Sequence, residues 1–130
     1  MINQNQEASF KGTWRHGNKT VNVKLSLIIF SEEGTVIAYC PALDLSGYGN
    51  TEKEAIDSFK IASAEYFLYS TNKETLFKDL QQHGWKLPRH KRQNPAPPEM
   101  SELLSTNSEF NRVFNNLPFK KIDQQFAIPA

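Results

Sequence analysis

Between Thr20 and Phe30 the chain alternates with a period of two: Val21, Val23, Leu25, Leu27 and Ile29 are apolar, while Asn22, Lys24 and Ser26 are polar. This is the pattern of a strand with one buried face. Ile28 and Phe30 break the alternation at its end, so both faces are expected to be covered there. Ser31-Glu32-Glu33-Gly34 predicts a hairpin turn into a second strand, Thr35–Cys40, and Leu43–Tyr48 predicts a short third one. Upstream, Ala8–Arg15 carries Phe10 and Trp14 on a weakly alternating background and is followed by a His16-Gly17-Asn18 turn. The first seven residues are polar, as loose termini are. An antiparallel meander of three or four strands is the expectation.

The period then changes. Ala55, Ile56, Phe59, Ala62, Ser63, Tyr66 and Phe67 recur at three- and four-residue spacing, which marks a helix that must lie on the sheet. Thr51 is placed as its N-cap and Glu54 as its third residue, a capping box worth about 1 kcal/mol. Gly47 and Gly49 are expected to give the turn backbone conformations that a side chain would strain. Pro41 has no N–H to offer a ladder, so pairing is expected to stop or move to an edge there. A second, shorter helix is predicted over Lys73–His83, with Leu76, Phe77 and Leu80 inward and Gly84 as its stop. Trp85-Lys86-Leu87 is expected as a last strand.

From Pro88 the composition shifts. Lys86, Arg89, His90, Lys91 and Arg92 form a basic cluster with no acidic residue before Glu99, and Asn94-Pro95-Ala96-Pro97-Pro98 reads as a stiff linker. Beyond it, Glu99–Leu104 and Ser108–Phe114 each suit about two helical turns, and Phe119–Ile128 alternates as a strand. The resulting division is a flexible N-terminus at 1–7, an α+β domain at 8–92, and a Pro-rich linker with an apolar C-terminal arm at 93–130. Phe119, Ile122, Phe126 and Ile128 are too apolar for a free tail. They are expected to dock on a sheet edge or face in a symmetric dimer, the arm either crossing to the partner or folding back.

The full chain has 130 residues and a formal net charge of +1. This fits one domain with a hydrophobic core, and supplies no global attraction to nucleic acid or anionic membrane. The single cysteine, Cys40, cannot form an internal disulfide and suits a reducing compartment. Met1–Glu7 lacks the features of a signal peptide, and no apolar run approaches the ~20 residues that cross a bilayer. The expected location is the cytoplasm, without membrane contact.

The order of residues from Ile37 to Phe59 carries a family resemblance. A strand ends in Tyr39-Cys40-Pro41; Asp44-Leu45-Ser46-Gly47 and then Gly49-Asn50-Thr51 form the turn; Glu54-Ala55 opens a helix that continues through Ala62. This order and spacing resembles the HicB antitoxin family, over roughly Leu25–Trp85. The resemblance implies a truncated ribonuclease-H-like fold, β-β-β-α, with the helix packed on one face of the sheet. It also implies a partner: the small basic HicA-type toxin, an mRNA-cleaving ribonuclease that the antitoxin silences by covering its active site. Tyr39, Asp44 and Tyr48, near the strand junction, are the expected partner contacts.

No catalytic constellation is expected. Glu32 and Glu33 fall in a turn, Asp44 at a strand junction and Asp57 on a helix, so solvated surface charge is the simpler reading than a metal-dependent nuclease. His16, His83 and His90 are far apart, and Cys40 has no histidine predictably near it, which argues against a metal site or a nucleophile. No enzyme activity and no cofactor are expected. Arg89, Lys91 and Arg92 are the candidates for a nucleic-acid contact. Antitoxins of this type usually carry a C-terminal DNA-binding module, but Glu99–Asn116 has no helix pair with the turn length that a helix-turn-helix needs. Three readings therefore stand in order: a toxin-neutralising antitoxin, a stand-alone self-associating or scaffold protein, and a DNA-binding autorepressor.

Overall fold

In the computed structural model, residues 20–69, 73–86 and 95–129 are described. The expected tail 1–7, the strand at Ala8–Arg15 and its turn lie outside them, as do Leu87, Arg89, Lys91 and Arg92. Among the described residues the fold is α+β, with a four-stranded antiparallel sheet and four helices.

Strand β1 (Thr20–Glu32) turns into β2 (Thr35–Cys40) through two residues, Glu33 and Gly34, with φ of 51° and 80°. Left-handed conformation at both centres matches the twist of the flanking strands, so the turn is tighter than Ser31–Gly34. Ser31 and Glu32 consequently belong to β1, paired with Val36 and Thr35. At Pro41 the ladder stops as expected. The Leu43 and Asp44 N–H groups both donate to the Cys40 carbonyl, at 3.2 and 2.8 Å, and Asp44 has a φ of 54°. Strand β3 (Leu45–Gly49) therefore starts two residues later than expected and pairs with β2 from Cys40↔Leu45 to Val36↔Gly49.

Helix α1 (Glu52–Tyr69) buries Ala55, Phe59, Ser63 and Phe67 on the first face of the sheet. There they meet Val23, Leu25, Leu27 and Ile29 of β1, together with Leu76 and Leu80 of α2 (Lys73–Gln82). The glycines before α1 serve a different purpose from the one expected. Neither has a positive φ, but a Cβ on Gly47 would stand 2.1 Å from the Phe59 nitrogen and one on Gly49 2.4 Å from the Glu54 Cβ. They let β3 and α1 touch backbone to backbone, and a larger residue would force the helix away. Gly84 does act as the stop of α2. With φ of 93° it donates to the Gln81 carbonyl, and Trp85 N–H donates to the Leu80 carbonyl at 3.1 Å, a complete Schellman motif. The last strand expected at Trp85 is instead one isolated bridge, Lys86↔Ala96. Trp85 is buried, and its indole N–H donates to the Ala42 carbonyl at 2.7 Å, which uses the ring as a plug rather than a strand residue.

Helices α3 (Met100–Thr106) and α4 (Ser108–Asn116) cover the second face, where Leu103, Phe110 and Val113 pack on Ile28, Phe30 and Tyr39. The break in alternation at Ile28 and Phe30 marks this second layer. Strand β4 (Lys120–Pro129) then pairs with β1 from Ile29↔Lys120 to Thr20↔Pro129, giving the order β3-β2-β1-β4. Of the two arrangements expected for the arm, crossing or folding back, the structure shows the second: β4 adds to the sheet of its own chain. Arg112 of α4 holds Glu32 at the end of β1, so the three residues Leu117–Phe119 suffice to bring the chain onto the adjacent edge. Ile122 and Phe126 are partly buried against the first core, Phe126 meeting the Phe59 ring edge-on at 5.7 Å, and Ile128 lies opposite Val21.

Candidate interaction surface

The three residues expected to meet a partner lie on or beside β2 and β3, but in different environments. Register places Tyr39 beside Ile28 and Ser46, on the face covered by α3 and α4, and the side chain is only 3% exposed. Its hydroxyl donates to the Asp44 carboxylate at 2.7 Å and accepts from the Asn107 side-chain amide at 2.8 Å. Burial and then the Asp44 bond push the phenol pKa well above its ordinary value, so it stays a neutral donor. Tyr39 thus joins β2, the turn before β3 and the α3–α4 junction, and presents little to a partner itself.

Asp44 and Tyr48 are exposed. Asp44 sits at a left-handed position, which aspartate tolerates better than most residues, and its hydrogen bond to Tyr39 orients the carboxylate at the start of β3. Gly47 and Gly49 face α1, so Tyr48 between them projects from the opposite face, 57% exposed at the rim of the second layer. Its backbone N–H donates to the Ser58 hydroxyl at 3.0 Å. This N–H is therefore already satisfied by α1. The surface here is an acidic group and a projecting aromatic along a short, partly capped sheet edge.

Several carboxylates around the molecule are engaged locally. Glu32 is held by Arg112, which lowers its pKa, and Arg112 also pairs with Glu109. Asp57 pairs with Lys53, Glu52 with Lys120, and Asp123 with Ser26 and Lys121. The Tyr66 hydroxyl donates to the Asp79 carboxylate and joins α1 to α2. His83, the one histidine among the described residues, has its Nδ1 2.9 Å from the Asp79 carbonyl, within the C-terminal turn of α2. Cys40 is fully buried, and burial pushes its thiol up to about 12, so it is not a thiolate at neutral pH. Among the described residues no three His, Cys, Asp or Glu side chains gather where they could hold a metal ion, and no helix is long and apolar enough to cross a membrane.

Two functional-looking features had no expectation attached to them. Asn107 accepts from Phe110 N–H at 2.9 Å as the N-cap of α4 while its amide holds Tyr39. The cap was readable as an Asn ahead of Ser-Glu-Phe; the link to a residue 68 positions earlier was not. The second is a line of aromatic rings from core to surface: Phe110 to Phe114 at 5.8 Å and Phe114 to Phe119 at 5.4 Å, ending 44% and 36% exposed beside β4. Arg89, Lys91 and Arg92 lie outside the described residues. No protein-family model matches the chain, and no curated protein or solved structure shows significant similarity to it.

Proposed function

We propose that this chain is a non-enzymatic, HicB-like antitoxin with a partial ribonuclease-H-like fold, acting in the cytoplasm on a small basic HicA-type mRNA-cleaving toxin. The observation that carries the reading is the use made of the Tyr39–Ala62 stretch, whose turn and cap residues each have a task in one β-β-α unit. Pro41 ends a strand, Gly47 and Gly49 admit the helix, and Thr51 and Glu54 fix its start. The unit spends its polar side chains on building a surface. Asp44 and Tyr48 remain exposed on it, an acidic and an aromatic contact suited to a basic partner.

The DNA-binding reading has less in its favour. α3 and α4 are seven and nine residues long, joined at the single residue Asn107, and spend Leu103, Phe110 and Val113 on the sheet. A helix-turn-helix needs a turn of about three to four residues and a free second helix.

Co-expression with the product of the adjacent reading frame, followed by affinity capture, tests the proposal. Wild-type protein is expected to capture that product and relieve its growth arrest. Asp44→Asn, which tolerates the left-handed backbone and keeps an acceptor for the Tyr39 hydroxyl, and Tyr48→Ala, each with an unchanged melting profile, should weaken capture about tenfold or more. Purified protein should leave RNA intact. Failure to capture the product, or capture undiminished by both substitutions, overturns the reading.

A further inference from the structure

The sheet has two edges, and they differ. β3 has five residues, and one of its N–H groups is taken by Ser58. β4 has ten residues, and its outer side meets no other strand among the described residues. Long free edges attract a further strand. We propose that the outer edge of β4 is a self-pairing interface, on which a second copy of this chain lays its own β4 antiparallel about a two-fold axis at Ile122.

The charges along the strand select that occupant and that register. Lys121 and Asp123 flank Ile122 on the same face, so an axis at Ile122 sets each Lys121 opposite an Asp123 of the second copy, twice over. Moving the axis one residue either way opposes Lys121 to Lys121 or Asp123 to Asp123. Moving it to Gln124 sets the same residues against Ala127 and Gln125 and loses both pairs. Asp123 already accepts from Ser26 at 2.6 Å and pairs with Lys121 at 3.1 Å, which holds both charges in place at the edge.

Apolar groups border the edge on both faces. Ile122 is only partly buried on the first face and would meet its own copy there. On the second face the exposed rings of Phe114 and Phe119 come up beside the start of β4, and the second copy's strand would lie against Phe119. The overlap, Phe119–Gln125, is short and falls below the ~1,200 Å² of a standard interface, so the dimer is weak, reversible and dependent on its charge pairs.

Sedimentation velocity of the full chain over a concentration series reads the outcome. Wild type is expected to pass from monomer to dimer as concentration rises. Lys121→Asp and Asp123→Lys each oppose like charges and should remain monomeric at every concentration, with thermal melts recorded to show that both still fold. The double variant Lys121→Asp/Asp123→Lys restores two opposite pairs in the same register and should dimerise again. A wild type that stays monomeric, single variants that dimerise as well as wild type, or a double variant that stays monomeric would each overturn the proposal.

Discussion

The two faces of the sheet are covered by different kinds of layer. On the first face a helix of eighteen residues, with α2 packed beside it, sets Ala55, Phe59, Ser63 and Phe67 on the sheet, and its glycine-assisted contact with β3 is backbone against backbone. On the second face two helices of seven and nine residues do the work, each too short to persist alone. They are held by Leu103, Phe110 and Val113 below, and by two polar ties, Asn107 to Tyr39 and Arg112 to Glu32. The first layer is an extended, continuous packing surface, whereas the second is a clip. A clip can open without the sheet coming apart, and the free energy of that opening sets an upper limit on what damage within it costs.

The largest expected effect tests this directly. Phe59 and Phe110 are both buried phenylalanines, at 0% and 1% exposure, one in each core. Phe59→Ala removes the centre of the first layer and should cost about 3–5 kcal/mol of global stability. Phe110→Ala should cost less, because α3 and α4 can detach together. In hydrogen exchange it should release amides of α3 and α4 while those of α1 stay protected. Equal urea midpoints for the two variants, with simultaneous loss of protection across α1 and α4, would mean that the faces form one cooperative unit.

The same contrast explains what could be read from the sequence. The first layer is written in periodicity: alternation in Val21–Ile29 and helical spacing from Ala55 to Phe67. The second was legible in pieces: Glu99–Leu104 and Ser108–Phe114 read as short helices, close to the observed α3 and α4, and Ile28 and Phe30 read as a covered second face. Short helices carry few repeats, however, and nothing joined the pieces. Gly47 and Gly49 were legible as necessary glycines but for the wrong cause. A local reading considers their own φ, whereas the constraint comes from Phe59 and Glu54 across the layer. Alternation in Phe119–Ile128 marked a strand without marking its neighbour, since either sheet edge accepts the same pattern. Of the candidate contacts, Asp44 and Tyr48 are exposed and Tyr39 is not. The sequence had no signal for the link between the helix junction and Tyr39, because a contact 68 positions apart belongs to no repeat.

Asn107 sharpens the comparison at an intermediate scale. Its carbonyl oxygen caps α4 and its amide nitrogen holds the Tyr39 hydroxyl, so Asn107→Ala loses both and should cost about 1–2 kcal/mol. Asn107→Asp keeps an acceptor for Phe110 N–H but loses the donor, and sets a second carboxylate near the one that already accepts from Tyr39. If the clip depends on the tie, Asp should be destabilising as well, and exchange in α3 and α4 should quicken in both variants. An Asn107→Asp variant as stable as wild type would reduce Asn107 to a helix cap and leave apolar packing as what holds the second layer.

The smallest effect belongs to the corresponding cap on the first face. The Thr51 hydroxyl accepts from Glu54 N–H at 3.1 Å, and the Glu54 carboxylate accepts from Asn50 N–H at 2.8 Å, one residue earlier than a reciprocal box requires. Thr51→Ala deletes one of these bonds and leaves the other. The freed N–H lies in an exposed first turn where water replaces the hydroxyl, and Ala55, Phe59 and Phe67 still hold the helix to the sheet. The expected loss is about 1 kcal/mol, smaller than that of Asn107→Ala, seen as a lower urea midpoint with an unchanged slope. A cap in a continuous layer should matter less than one that also fastens a clip. If Thr51→Ala proves the more damaging of the two, the start of α1 is the weaker point, and the ranking of the two faces must be reversed.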